Sequence, residues 1–307
     1  MSPVQEPNGV HEHDDRPLNV LVTGFGPFSR YAVNPSWLAV KPLHNTVLNI
    51  DVLATPIMID NHVVMAEPES PSTRPRQIHI TAIEIPVVYE DVLAIVPGLH
   101  ARPPVLPISD DPEYSSISTP HDGFDLIFHV GVAGRGPLRM ERVGHKFGYN
   151  MKDAKGCQAP IVRREDTNRV PSEPSEAERM EMEMARLANY GMDPPNVVDS
   201  GEPPKRGFGK GYETYPEEIY TDIDVEKLVQ YLKMSGVEQI YSSLDAGHYL
   251  CDFIYYCSLA EAKRASAKSD KSSKILFLHC PPVNQPLSTE EVTEAIKRSV
   301  IWLCGGL

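Results

Sequence analysis

The sequence has 307 residues, of which 41% are hydrophobic and 23% charged, and its formal net charge at pH 7 is −13. This acidic balance argues against a nucleic-acid-binding protein, which normally presents a net basic face. No apolar run approaches the ~18 residues of a membrane helix, and the polar N-terminal stretch does not have the pattern of a signal peptide. Five cysteines without Cys-x-x-Cys spacing indicate reduced thiols, so we expect a cytoplasmic protein that does not contact membranes.

The N-terminal part predicts a tail followed by a strand, a helix and a second strand. Residues 1–16 are polar and are expected to be disordered, since they cannot bury apolar surface. The run LNVLVTGF from Leu18 predicts a buried strand, and the loop GFGPFSRYAVNP leads into a short helix capped by Asn34 or Ser36. A second strand is predicted at Val47–Met58.

Proline clusters divide the rest of the chain. The chain has 29 prolines, about 9% against a usual ~5%. Pro-rich stretches at about 66–77, 103–122 and 163–216 are predicted to be surface insertions in one domain, residues 17–307. Within the third, Ser175 and Glu178 form a capping box for a helix that Gly191 closes, and we interpret this insertion as a surface appendage.

Strands and helices alternate between and after these insertions. HITAIEIPVVY and FDLIFHVGVAG predict strands, the second a central buried one, and EDVLAIVPGLHA a helix that stops at the prolines. The last third reads helix, strand, helix, strand, helix, with the last helix capped by Ser288 or Thr289. This alternation predicts an α/β fold with a mostly parallel central sheet and helices on both faces.

Cys251 is the strongest candidate for a catalytic residue. The turn Asp245-Ala246-Gly247 joins a strand to a helix and places Cys251 in the first helical turn, where free N–H groups and the helix dipole lower a thiol pKa and can stabilise an oxyanion. A cysteine packed in the core is the competing interpretation, and it suits Cys257 well.

A nucleophilic thiol needs an imidazole base that a third group orients. His279 ends an apolar strand and could be that base, whereas His145 and His248 compete by position. Glu141 or Asp245 could orient the imidazole. Sequence spacing alone leaves these alternatives open.

The remaining motifs are weak. The loops GFGPF and GVAGRG follow strands, but neither matches a nucleotide-binding pattern. The stretch His11-Glu12-His13 could touch a metal, yet it is part of the tail and has no third spaced ligand, so no metal site is expected.

The segments VLVTGFGPF, VNPSW, HVGVAGR, MERVGHKFGY, SLDAGHYLCDFIYYCSL and FLHCPP together resemble the pyroglutamyl peptidase I family of cysteine peptidases, especially its eukaryotic members. The resemblance covers most of Leu18 to Leu307 outside the insertions. It implies one three-layer α/β/α domain and hydrolysis of N-terminal pyroglutamyl residues from peptides through a thioester, without a metal or cofactor.

The resemblance also implies roles for particular residues. It implies that Cys251 is the catalytic nucleophile, His279 the catalytic histidine and Glu141 the catalytic glutamate. It also implies that the substrate ring is bound by Phe25 and Phe28 of the GF-x-PF loop and by Asn34 beyond it. Aromatic walls suit a flat, uncharged lactam, whereas the ammonium of an ordinary N-terminus would have to be desolvated without a partner.

Two departures from the family pattern stand out. Val132 occupies a place where bacterial members tend to have glutamine, which the resemblance implies is a trait of the eukaryotic subgroup, and the insertion at 163–216 could narrow the substrate channel. Two other functions therefore remain open, namely a non-catalytic binding protein of the same fold and an amidase acting on another small cyclic amide.

Overall fold

The computed structural model describes residues 16–53, 58–59, 62–63, 73–108, 119–162, 204–269 and 271–307. The predicted tail, except for its last residue, and the predicted helix between Ser175 and Gly191 lie outside these residues. The described strands are β1 Leu18–Phe25, β2 Thr46–Leu53, β3 Met58–Ile59, β4 His62–Val63, β5 Thr73–Ile85, β6 Leu126–Val132, β7 Leu138–Glu141, β8 Val143–His145, β9 Glu218–Tyr220, β10 Ile240–Ser243 and β11 Lys274–Cys280. The described α-helices are α1 Pro35–Val40, α2 Tyr89–Leu99, α3 Val225–Met234, α4 Leu250–Ser266 and α5 Thr289–Cys304.

Seven of these strands form the central sheet, in the order β10-β7-β11-β6-β1-β5-β2. The pairs β1–β5, β1–β6, β6–β11 and β7–β10 are parallel, whereas β2–β5 and β7–β11 are antiparallel. The predicted mostly parallel sheet is confirmed, and β6 is its middle strand, as its continuous apolar run predicted.

Helices cover both faces of the sheet, so the predicted three-layer arrangement is also confirmed. One buried cluster joins the sheet to α1, α3 and α5, and the other joins it to α2 and α4. Alternate residues of one strand serve the two clusters, because successive strand side chains point to opposite faces. Val20 and Val22 of β1 belong to the first cluster, and Leu21 and Phe25 to the second.

The helices begin where the sequence provides caps. Asn34 caps α1 by accepting from the backbone N–H of Ser36. Ser288 caps α5 in a complete capping box with Glu291, which decides between the two predicted caps. These contacts satisfy N–H groups that the first helical turn leaves without partners.

Two of the predicted surface insertions are shorter in the structure than expected, because part of each belongs to the sheet or the core. Strand β5 starts at Thr73, inside the stretch 66–77, and pairs with β2 over its first residues. At the end of the stretch 163–216, the side chains of Phe208 and Tyr212 are buried in the cluster with α4. This end is therefore part of the core rather than a surface appendage.

The described parts of the predicted insertion at 103–122 agree with the prediction. Residues 103–108 and 119–122 contain neither helix nor strand. Among the helices that the structure describes, none has the length and apolar content needed to cross a membrane.

Candidate active site

Cys251 is the second residue of α4, which confirms its predicted place in the first helical turn. The helix starts after Tyr249, whose backbone is extended. The thiol lies against Gly131 near the end of β6: a Cβ built on Gly131 would be 2.7 Å from the Cys251 Sγ and 2.8 Å from a ring carbon of Phe277. The absence of a side chain at Gly131 therefore makes room for the thiol. Sequence reasoning did not identify Gly131.

His279 and Glu141 form a buried ion-pair geometry. The His279 Nδ1 is 2.6 Å from the Glu141 Oε1, and the two side chains are 4% and 0% exposed. They meet because β11 and β7 are antiparallel neighbours with Phe277 opposite Glu141. The other carboxylate oxygen of Glu141 has no hydrogen-bond partner within the described parts of the chain. The Asp245 carboxylate instead accepts from the backbone N–H of Gly247.

The thiol and the imidazole lie on the same side of the sheet. His279 is the register partner of Gly131 across β11 and β6, and its ring centroid is 4.8 Å from that of Phe277. The Phe277 ring and the Cys251 thiol both contact the Cβ position of Gly131. The structure thus places the Cys251 thiol over Gly131 at the carboxyl end of β6, with His279 on the neighbouring strand β11 and Glu141 hydrogen-bonded to it.

The surroundings of the thiol oppose its ionisation. Burial raises the pKa of Cys251 well above its ordinary value of 9.0, and the nearby Cys280 and Glu141 act in the same direction, while Arg139 opposes them. The sequence predicted a lowered pKa from the helix N-terminus. Desolvation acts against that effect, because a charged thiolate loses its hydration in this site.

A cavity of about 310 Å³ opens onto the thiol. Phe25 and Phe28, which the resemblance assigns to the substrate ring, line it together with Tyr31, Val132 and Tyr249. The Tyr249 ring centroid is 5.3 Å from that of Phe28, so the two rings form one aromatic wall. Sequence reasoning missed Tyr249, although its position two residues before Cys251 placed it near the site.

Asn34 also lines the cavity, but its amide is engaged within the protein. Its nitrogen donates to the Gly26 carbonyl at 3.1 Å, and its oxygen accepts from the backbone N–H and the hydroxyl of Ser36. These bonds tie the loop after β1 to the start of α1. The substrate-binding role of Asn34 stays a prediction.

The competing residues lie elsewhere. His145 contacts the carboxylate of Asp252 with its Nδ1 at 3.2 Å, and His248 lies beside this pair. Cys257 is 0% exposed and its sulfur is 3.3 Å from the Tyr212 hydroxyl, which confirms its predicted place in the core.

Comparisons with known proteins agree on one group of relatives. The chain is 26% identical to pyroglutamyl-peptidase 1 of Rattus norvegicus over 294 residues, covering 94% of this chain and 90% of the relative. It is 25% identical to pyroglutamyl-peptidase 1 of Homo sapiens over 284 residues, covering 91% and 86%. No family model matches the sequence.

Solved structures share the fold. Pyroglutamyl peptidase I of Bacillus amyloliquefaciens superimposes with a TM-score of 0.51 at 19% identity, over 92% of this chain and 95% of that one. A mutant pyrrolidone carboxyl peptidase of the hyperthermophile Pyrococcus furiosus gives a TM-score of 0.52 at 20% identity, over 94% and 100%.

Proposed function

We propose that this chain, which is 26% and 25% identical to the rat and human pyroglutamyl-peptidases 1 over most of its length, is a cysteine peptidase of the pyroglutamyl peptidase I family that removes the pyroglutamyl residue from the N-terminus of peptides. The observation that carries the proposal is the buried His279–Glu141 pair, at 2.6 Å, on the same face of the sheet as a thiol at the floor of an aromatic cavity. A thiol, an imidazole and a carboxylate that orients it are the groups that acyl transfer requires.

The cavity suits an uncharged ring better than an ordinary N-terminus. Phe25, Phe28 and Tyr249 offer aromatic walls for a flat lactam. Among the described residues that line the cavity there is no carboxylate, and the charged one is Arg30. A free α-ammonium would therefore enter without a counter-ion and beside a cation, which disfavours unmodified peptides.

The reaction in this proposal starts from a protonated thiol. The Cys251 Sγ attacks the carbonyl carbon of the pyroglutamyl residue, and its proton passes to the Nε2 of His279, whose Nδ1 hydrogen points at Glu141. The carboxylate stabilises the imidazolium that forms. This coupled transfer fits a thiol whose pKa is raised, because no free thiolate has to exist before the attack.

The tetrahedral intermediate then collapses to a thioester. Backbone N–H groups at the start of α4, which have no partners within the helix, stabilise the oxyanion. The peptide amine leaves with the proton from His279. Water, deprotonated by the same imidazole, hydrolyses the thioester and releases pyroglutamate and the free thiol. None of these steps uses a metal or a cofactor.

The cellular setting follows from the cysteines. All five, including the exposed Cys157, are free thiols. We therefore propose a reducing compartment, the cytoplasm, with pyroglutamyl peptides as the substrates.

The test is release of aminomethylcoumarin from its pyroglutamyl amide under reducing conditions. We expect wild-type protein to release the fluorophore, Cys251→Ala to release none, and Cys257→Ala to keep its rate per folded molecule, because Cys257 lies in the core away from the cavity. Circular dichroism checks that each variant is folded. Full activity of Cys251→Ala would contradict the mechanism, and no release by folded wild-type protein would contradict the activity.

A further inference from the structure

A second cluster of chemically active side chains lies on the other side of the α4 start. One possible ligand atom from each of His145, His248 and Asp252 lies within 4.8 Å of the others. The Nδ1 of His145 is 3.2 Å from either carboxylate oxygen of Asp252, and the Nδ1 of His248 is 3.6 Å from its Oδ2. The ring centroids of the two histidines are 5.1 Å apart. The proposed peptidase reaction uses none of these three residues.

Two of the spacings in this cluster are close to those in the ligand shell of a tetrahedral metal. With metal–ligand bonds of about 2.0–2.1 Å, the ligand atoms of a tetrahedral zinc site are about 3.3 Å apart. The two distances that end at the Asp252 Oδ2, 3.2 and 3.6 Å, lie close to that value. All the ligand atoms lie within 4.8 Å of one another, so the imidazoles would have to approach each other by at most ~1.5 Å to surround one ion with Asp252.

Neighbouring groups hold the cluster in place. The Tyr149 hydroxyl donates to the Asp252 Oδ2 at 3.0 Å, and the backbone N–H of His145 donates to the Oδ1 at 3.1 Å. The His248 ring lies against Gly148, where a Cβ would be 3.1 Å from its Nδ1. Gly148 has a φ of +106°, which favours glycine. Ligands fixed in this way are typical of metal sites.

Charge and access also favour a cation. Asp252 is fully buried, and the carboxylates of Glu218 and Asp245 are close enough to act on His145. The side chains of His145 and His248 are 20% and 51% exposed. An ion can thus enter from solvent and keep a water molecule in its fourth position.

We propose that His145, His248 and Asp252 bind one divalent transition metal of the Zn²⁺ class. Two imidazoles and one carboxylate suit Zn²⁺ and its neighbours, whereas Mg²⁺ and Ca²⁺ prefer shells of oxygen alone. The competing interpretation is a hydrogen-bonded His145–Asp252 pair with His248 packed beside it and no metal.

Calorimetric titration of the full-length protein with Zn²⁺ separates the two interpretations. We compare wild type, His248→Ala and His121→Ala; His121 is 93% exposed, also lies next to a carboxylate, and serves as the matched control. The stretch His11-Glu12-His13 and the free thiols are the same in all three, so their contribution cancels. The readout is binding rather than activity, since Zn²⁺ can also block the Cys251 thiol.

We expect wild type and His121→Ala to bind one equivalent of Zn²⁺ at this cluster. In His248→Ala the affinity for that Zn²⁺ should be at least about tenfold weaker, or binding should be lost. Loss of residues that only position the ligands already costs about 10–100-fold in affinity. His145→Ala provides a second ligand variant, chosen over a variant of Asp252 because that residue is fully buried. The Co²⁺-loaded wild type should show visible d–d bands that His248→Ala loses. Equal Zn²⁺ binding by wild type and folded His248→Ala, or none by wild type, would overturn the proposal.

Discussion

Replacing Gly131 with alanine tests whether the thiol is seated where the structure places it. The added Cβ would lie 2.7 Å from the Cys251 Sγ and 2.8 Å from the Phe277 ring. Ordinary non-bonded contacts between carbon atoms are about 3.5–4.0 Å. The thiol, the ring or β6 must therefore move by about 1 Å.

The size of the effect follows from that displacement. Overpacking a well-packed site by one methyl group typically costs about 1–3 kcal/mol, so the variant should still fold but melt at a lower temperature. A misplacement of ~1 Å in a catalytic group costs about 10²-fold in rate. We expect Gly131→Ala to lose about 100-fold or more in kcat/KM with a modest loss of stability.

The matched control is Gly134→Ala, three residues further along and just after β6, where a Cβ meets no atom within 4 Å. Hydrolysis of the pyroglutamyl coumarin amide and thermal unfolding are measured on both variants and wild type. Gly134→Ala should keep wild-type kinetics. If Gly131→Ala were as active and as stable as Gly134→Ala, the thiol would not lie over Gly131 and the catalytic geometry would be wrong.

Two further predictions concern the thiol and the core. Burial raises the pKa of Cys251 above 9.0. In a Cys157→Ala background, the rate of its alkylation by iodoacetamide should therefore rise about tenfold per pH unit through pH ~9. A rate that levels off below pH ~8 would reveal a preformed thiolate and contradict the raised pKa. Phe208 is 1% exposed, and its ring centroid is 4.2 Å from that of Phe253. Phe208→Ala should therefore lower the free energy of unfolding, measured in urea, by about 3–5 kcal/mol. Replacement of the half-exposed Ile161 by alanine should change this free energy by less than ~0.5 kcal/mol.

The parts of the fold that could be predicted from the sequence are those marked by a local pattern, such as an apolar run or a helix cap. The apolar run of β6 required burial on both faces, and the strand indeed lies in the middle of the sheet. Ser288 and Glu291 carry a capping signature that needs no tertiary information. The helix start that places Cys251 in the first turn is a local signal of the same kind.

Non-local packing determined the parts that sequence could not predict. The polar, Pro-containing start of β5 has weak strand character, and pairing with β2 supplies its ladder. The residues around Phe208 look like a Pro- and Gly-rich loop, yet the Phe208 ring fills a gap beside Phe253. Neither contact is encoded in the periodicity of the segment itself.

The same division holds at the site. Sequence position could not choose among His279, His145 and His248, because the choice depends on which strands are neighbours. The antiparallel pairing of β7 with β11 brings Glu141 to His279. The expected lowering of the thiol pKa rested on the helix N-terminus, which is visible in the sequence, whereas the burial that raises this pKa is not.

The catalytic cluster around Cys251 and the proposed metal cluster around Asp252 meet at the start of α4, where these two residues are neighbours in the sequence. Successive helical residues point about 100° apart, so Cys251 faces Gly131 on β6 while Asp252 faces His145 on β8. Each side chain can therefore serve its own cluster without sharing a contact atom.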